Sequence, residues 1–207
     1  MITGFRWHLQ GAQKHYNIMP DLCTFGKGMA NGFSVAALMG KREIMNIGGI
    51  KEEGAERVFL ISTTHGAEMC GLGALFETIE VYEELDVVGH MWDYGRKLID
   101  GMNQIAFEMG ISEYFFVEGV PVSPNYGCKD KNKQVSLGMR TLFSQEILKN
   151  GVLMPWIAFS YSHGESELQQ TLEATQKALN VFKLALENGY EKYLKGKVVK
   201  PVFRQFN

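Results

Sequence analysis

The stretch Pro20-Asp21-Leu22-Cys23-Thr24-Phe25-Gly26-Lys27-Gly28-Met29-Ala30-Asn31-Gly32 sets a primary amine between two glycines at the end of a short apolar run. A free lysine amine titrates near ~10.4, so at neutral pH it is protonated and not nucleophilic. Burial in an apolar site, or condensation with an aldehyde, removes that obstacle. Gly26 and Gly28 leave room for a planar group beside the amine and permit backbone angles that other residues avoid. Taken alone, a Gly-Lys-Gly tripeptide reads as a solvated lysine in a turn. Phosphate-loop chemistry does not fit. A Walker A loop needs Ser or Thr after the lysine and Gly five positions before Gly26, where this chain has Gly28 and Asp21. The dinucleotide fingerprint needs a glycine where Asn31 stands; Gly32 comes one residue late.

The other reactive side chains are scattered. His65 and His163 read as loop or cap residues with no partner evident from their spacing. No HExxH pattern and no carboxylate cluster with ligand spacing is present, so no metal is expected. Cys23, Cys70 and Cys128 form no CxxC pair, which fits a reducing cytoplasm better than a disulfide framework or a zinc site. Trp156, Phe159 and Tyr161 either line a pocket or, as is commoner for an aromatic run, pack in a core.

These residues need a scaffold, and the chain has the material for one. It has 207 residues, 45% of them hydrophobic and 12% aromatic, enough for one large domain or two small ones with a buried core. The net charge of −2 and the lack of a basic run disfavour nucleic acid or an anionic membrane as partner. No signal-peptide pattern opens the chain, and no apolar run is long enough to span a bilayer.

Residues 1–6 read as the tail of a strand, residues 7–16 as a short helix or loop, and Pro20 breaks any helix there. Residues 22–25, 35–39 and 58–62 are short apolar runs expected to be buried strands. The third ends in the hydroxyl-rich Ser62-Thr63-Thr64. Leu72, Leu75, Phe76 and Ile79 predict one helix. Val88, Met91, Trp92, Gly95, Leu98, Ile99, Met102, Ile105 and Ala106 predict a second, capped by Asp86 and ended by Gly110. Beyond about residue 110 a smaller α/β unit is expected. It has a strand over 114–122, a polar turn over 127–133, a helix over 137–148 stopped by Asn150-Gly151, and a strand-like run over 152–161 broken by Pro155. A long helix from Glu165 then carries Leu168, Leu172, Thr175, Leu179, Phe182 and Leu186 on one stripe and stops at Asn188-Gly189. No internal repeat is visible.

Several of these segments, in this order, resemble the class III (fold type I) pyridoxal-phosphate aminotransferases. Thr3-Gly4-Phe5-Arg6 is similar to the end of the family's Asp-Glu-Val-x-Thr-Gly-Phe-Arg strand, and Pro20-Asp21-Leu22 followed by Gly26-Lys27 to its lysine strand. Gly32 through Ala37 and Gly40 resemble the segment where the chain turns back into the sheet, and Ser62-Thr63-Thr64-His65-Gly66 the phosphate loop. Val152-Leu153-Met154-Pro155 and Ser160-Tyr161-Ser162-His163 are similar to the small domain of glutamate-1-semialdehyde aminomutase and related sugar aminotransferases. The resemblance implies an α/β fold. Residues 1–109 would be the C-terminal part of a three-layer α/β/α large domain with a mostly parallel sheet, and 110–207 a small C-terminal α/β domain. It implies pyridoxal 5'-phosphate held by Lys27 through a Schiff base, with the freed amine shuttling a proton, and Thr63 binding the phosphate across a homodimer interface. Amine and carbonyl small molecules are the implied substrates, and the implied setting is cytoplasmic.

Two departures qualify the resemblance. The family's aspartate, which pairs with the pyridine nitrogen, falls two residues before Met1, so the chain reads as the C-terminal portion of an enzyme that works with an upstream half. Many relatives carry a carboxylate-binding arginine in the small domain, whereas residues 153–163 contain none. That leaves aminotransferase and aminomutase chemistry both open, with a non-catalytic scaffold that keeps the fold and dimer surface, or a plain α/β binding domain, as the competing readings.

Overall fold

The computed structural model describes residues 1–47, 49, 51, 53–54, 56, 68–200 and 203. In chain order the elements are α1 (Ala12–His15), β1 (Leu22–Phe25), a 3-10 turn over Lys27–Ala30, β2 (Ala37–Gly40), α2 (Arg42–Met45), α3 (Met69–Glu84), α4 (Val87–Glu108), β3 (Phe115–Val120), β4 (Ser123–Cys128), α5 (Leu137–Lys149) and α6 (Glu165–Asn188), closed by a 3-10 turn at Tyr190–Lys192. They fall into two compact units, Met1–His90 and Met91–Asn207.

In the first unit β1 and β2 pair antiparallel, Leu22 opposite Gly40 and Phe25 opposite Ala37. Phe5, Phe25 and Met29 form its buried cluster, with Leu75, Ile79 and Tyr82 of α3 packed against it. Of the predicted stripe on α3, Leu75 and Ile79 serve this purpose, while Phe76 is exposed. A Cβ at Gly71 would sit 2.7 Å from Val35 Cγ2 and 3.4 Å from the Ser34 carbonyl oxygen, so the glycine lets α3 lie close on the segment before β2. Both strands differ from the sequence expectation: Leu22, Leu38 and Met39 are exposed rather than buried, because this two-stranded ladder has no described sheet neighbour over those side chains. Residues 1–6 are not a strand either. They turn through Phe5 at φ 63, with the Trp7 N–H donating to the Thr3 carbonyl at 2.9 Å. The expected strand at 58–62 lies outside the described residues.

The second unit is built around the antiparallel hairpin β3–β4, Phe115 opposite Cys128 and Val120 opposite Ser123. The described strands pair antiparallel in both units; in the first unit this differs from the mostly parallel sheet expected over residues 1–109. Antiparallel pairs close locally through short turns, whereas a parallel pair needs a crossover to a distant strand. Asn103 of α4 takes the place of a neighbouring strand on β3. Its amide donates to the Val117 carbonyl and accepts from the Val117 N–H, both at 2.8 Å. Phe143 of α5 lies 4.7 Å from Phe115 and 5.0 Å from Tyr126 between ring centroids, and Phe182 of α6 lies 6.0 Å from Phe115. Fully burying one such side chain contributes about 1.5–3 kcal/mol.

The helix ends follow the sequence signals. Asp86 accepts from the Gly89 N–H at 3.2 Å at the start of α4, and Gly110 ends it at φ 69. Ser136 caps α5 by accepting from the Met139 N–H, and Gly189 follows α6 at φ 85. β4 was not expected: Pro124, Asn125 and Gly127 are poor strand formers held by pairing with β3, and only Gly127 and Cys128 fall in the expected polar turn. Residues 152–161 form no strand. No described helix is long and apolar enough to cross a membrane.

Candidate active site

Lys27 stands where β1 ends. Its backbone is left-handed, φ 54, and it opens the 3-10 turn Lys27–Ala30, which closes on a second left-handed residue, Asn31 at φ 42. Three hydrogen bonds hold the turn: Met29 N–H to the Gly26 carbonyl at 3.2 Å, Asn31 N–H to Gly28 at 3.2 Å, and Phe33 N–H to Ala30 at 3.1 Å. Left-handed lysine is rare, because its Cβ crowds the following carbonyl, and single residues of this kind cluster at functional sites. The side chain is exposed, and among the described residues no hydrogen bond or ion pair engages its Nζ.

The surroundings leave space for a planar group. A Cβ at Gly28 would meet nothing nearer than Phe5 Cβ at 4.0 Å, and one at Gly32 nothing within 4 Å. At Gly26 the nearest atom is the flexible end of Met1, at 2.6 Å. Upstream, Asp21 receives the Lys41 ammonium, and its carbonyl accepts from the Lys41 N–H at 3.0 Å, which ties the start of β1 to the end of β2. That pair is exposed, so its contribution is small. Arg6 and Tyr82 form a half-buried couple in this unit. Burial lowers the Arg6 pKa and raises that of Tyr82, and the charge of each opposes the shift of the other.

The other sequence-derived candidates divide. Thr63, with Ser62, Thr64 and His65, lies outside the described residues. His163 closes a turn, its Nδ1 accepting from the Ser160 N–H at 3.2 Å and its ring 5.9 Å from that of Tyr94. The aromatic run separates. Phe159 is buried against Tyr94 at 5.0 Å, a core role, whereas Trp156 is 67% exposed and Tyr161 also reaches solvent. Among the described residues no cluster of His, Cys, Asp or Glu is placed to hold a metal ion.

Sequence reading missed the group that fixes the exposed segment. The Tyr126 hydroxyl lies 3.0 Å from Ser144 Oγ and from the Pro155 carbonyl and 3.3 Å from that of Met154. Arg140 stacks over the Tyr126 ring at 4.0 Å and donates to the Tyr126 carbonyl at 2.6 Å. These partners are 14 to 29 residues apart in sequence, so no local pattern reveals them.

A family model described as Aminotransferase class-III matches residues 3–120, more than half of the chain. The chain is 33% identical over 180 residues to a 3-aminobutyryl-CoA aminotransferase of Cloacimonas acidaminovorans (strain Evry), covering 86% of this chain and 41% of that protein. It superposes with a TM-score of 0.71 at 23% identity on the PLP internal aldimine form of the FumI protein of Sphingopyxis sp. MTA144, covering 86% of this chain and 40% of the other. An omega-transaminase from Sphaerobacter thermophilus gives 0.72 at 20% identity, with 86% and 42% covered. The structural likenesses carry the α/β fold. The chain spans about two fifths of the length of these relatives.

Proposed function

The chain belongs to the class-III aminotransferase family, and on that premise we propose that it carries the lysine-bearing and small-domain portion of a pyridoxal-phosphate enzyme that moves an amino group between an amine donor and a carbonyl acceptor. The observation that carries this reading is Lys27. It is a primary amine exposed at a strand end, set in a left-handed turn, and without a partner among the described residues. The open space at Gly28 and Gly32 suits the ring of the cofactor.

When bound, pyridoxal phosphate supplies an aldehyde for the amine and a conjugated ring that takes up the electron pair released at the substrate carbon. In this reading Lys27 Nζ holds the cofactor covalently. Its amine, when free, would take up and release the proton that amino-group transfer moves. Thr63 binds the phosphate through its hydroxyl and neighbouring N–H groups, a role supported by its place in the Ser62-Thr63-Thr64-His65-Gly66 loop. Residues 1–109 belong to the cofactor-binding domain and 110–207 to the small domain. The chain works as a homodimer or with an upstream half of the enzyme, a reading supported by the relatives being more than twice as long.

The lack of arginine in residues 153–163 supports a substrate with no free carboxylate there, and the relative named for 3-aminobutyryl-CoA, whose acid is a thioester, agrees with it. The likeness of residues 152–155 and 160–163 to the small domain of glutamate-1-semialdehyde aminomutase favours an aminomutase-type reaction as the second reading.

The test is to mix the purified chain with pyridoxal phosphate, reduce with borohydride and map the modified peptide by mass spectrometry. Selective labelling of Lys27, lost in Lys27→Ala, is expected. Labelling scattered over the other lysines, or none, refutes the assignment of Lys27.

A further inference from the structure

We propose that Met29 is the positioning residue of the lysine turn: its buried side chain holds Lys27 in the left-handed backbone conformation from which the amine leaves the end of β1. The inference rests on the reading of Lys27 as the cofactor lysine. It starts from an imbalance. Lys27 at φ 54 occupies the region that most L-residues avoid, and it biases a free chain against the turn by about five- to thirtyfold; Asn31, at φ 42, enters that region more readily. A strained conformation persists only where its surroundings over-determine it.

The surroundings of Lys27 leave few means of doing so. Its flanks are Gly26 and Gly28, which have no side chains to anchor. Its own side chain is exposed and, among the described residues, unengaged. The hydrogen bonds of the turn span only three residues each, at 3.1–3.2 Å. Two large buried side chains bracket the lysine: Phe25 before it and Met29 after it. Phe25 is already fixed by the ladder, where it pairs with Ala37, so it holds the entry to the turn whatever follows. The exit depends on Met29, which is 1% exposed and shares one cluster with Phe5 and Phe25, with Leu75, Ile79 and Tyr82 of α3 packed on that cluster. Ala30 is equally buried but has only a methyl group to offer. With Phe25 and Met29 seated in the same cluster, the three residues between them bulge outward, and the centre of the bulge is Lys27. The chemical consequence is preorganisation: an amine delivered from one backbone geometry reacts faster than one sampling several.

Four forms of the chain test this by amide hydrogen exchange over residues 26–34 and by the borohydride labelling above. In Met29→Ala the exchange of the Met29, Asn31 and Phe33 amides is expected to accelerate on the order of tenfold, with exchange in α5, α6 and the β3–β4 hairpin unchanged. Met29→Leu restores protection by refilling the volume. Adding Lys27→Gly to Met29→Ala also restores it, because glycine enters a positive φ at no cost. A role in packing alone does not predict that rescue. In the labelling assay, Met29→Ala lowers the ratio of Lys27 to other-lysine modification at limiting pyridoxal phosphate, and Met29→Leu does not. If Met29→Ala matches the wild type while the wild type labels Lys27 selectively, or if Lys27→Gly fails to restore protection, the positioning role is overturned and the cofactor reading stands. If the wild type shows no selective labelling of Lys27, both fall.

Discussion

Replacing Tyr126 by Phe removes one oxygen from the centre of the second unit and leaves everything else about the ring in place. Tyr126 is 1% exposed, and its hydroxyl is shared among Ser144 Oγ, the Pro155 carbonyl and the Met154 carbonyl at 3.0, 3.0 and 3.3 Å. The ring contacts with Phe143 and Phe115 and the stacked Arg140 guanidinium survive the change. The loss is therefore confined to hydrogen bonding. One donated bond is worth about 1 kcal/mol net, and leaving a buried partner unsatisfied adds about 1–2 kcal/mol. Tyr126→Phe should cost about 2–3 kcal/mol, which for a chain of this length lowers Tm by roughly 4–12 °C. Near-UV circular dichroism melts give the size. Hydrogen exchange gives the place, and the amides of residues 152–161 should lose protection while the β3–β4 ladder keeps its own. A loss below about 0.5 kcal/mol, or unchanged exchange over 152–161, would refute the claim that this hydroxyl anchors that segment.

Two further outcomes follow from ionisable groups. The Gly164 N–H donates to the Glu167 carboxylate at 2.8 Å and holds it below the usual carboxylate range. Because the folded value is depressed, this contribution is complete above the ordinary value of 4.5 and disappears as pH falls through the lower folded value. Glu167→Gln should then be less stable than wild type at pH ~7 and equal to it in strong acid, where both side chains are neutral; a stability gap unchanged by pH would count against the bond. Burial pushes the Cys128 thiol up to about 12 from 9.0. Its contribution is complete below the unfolded value and is lost as pH rises toward the folded one. At pH ~8, where thiolate is the reactive form, Ellman's reagent should titrate the exposed Cys70 quickly and Cys128 only after denaturation, and rapid reaction of Cys128 in the native chain would contradict its burial.

How far the sequence could be read depended on the range of each interaction. The helices α3, α4, α5 and α6 were legible because their signals are local. Asp86, Gly110 and Gly189 sit at helix ends, and Leu168, Thr175, Leu179 and Phe182 recur on one buried face of α6. Lys27 was legible as a residue through its glycine flanks and family context. Its left-handed backbone was not, because φ there is set by Phe25 and Met29 being buried together. β4 escaped notice because Pro124, Asn125 and Gly127 are poor strand formers, and only the facing β3 makes them a strand. The aromatic run at 156–161 carried no sign of which ring goes inside; Phe159 found Tyr94 of α4, while Trp156 did not.

By itself, then, the order of residues determined the helices with their caps and stops, the lysine proposed as the reactive amine, and the family to which the chain belongs. Each of these is encoded within a few positions along the chain. Tertiary structure alone decided the antiparallel pairing of both ladders, the strained turn that presents Lys27, and the Tyr126–Arg140 anchor under residues 152–161. Those features arise where segments distant in sequence meet and exclude water together, and no local pattern carries that information.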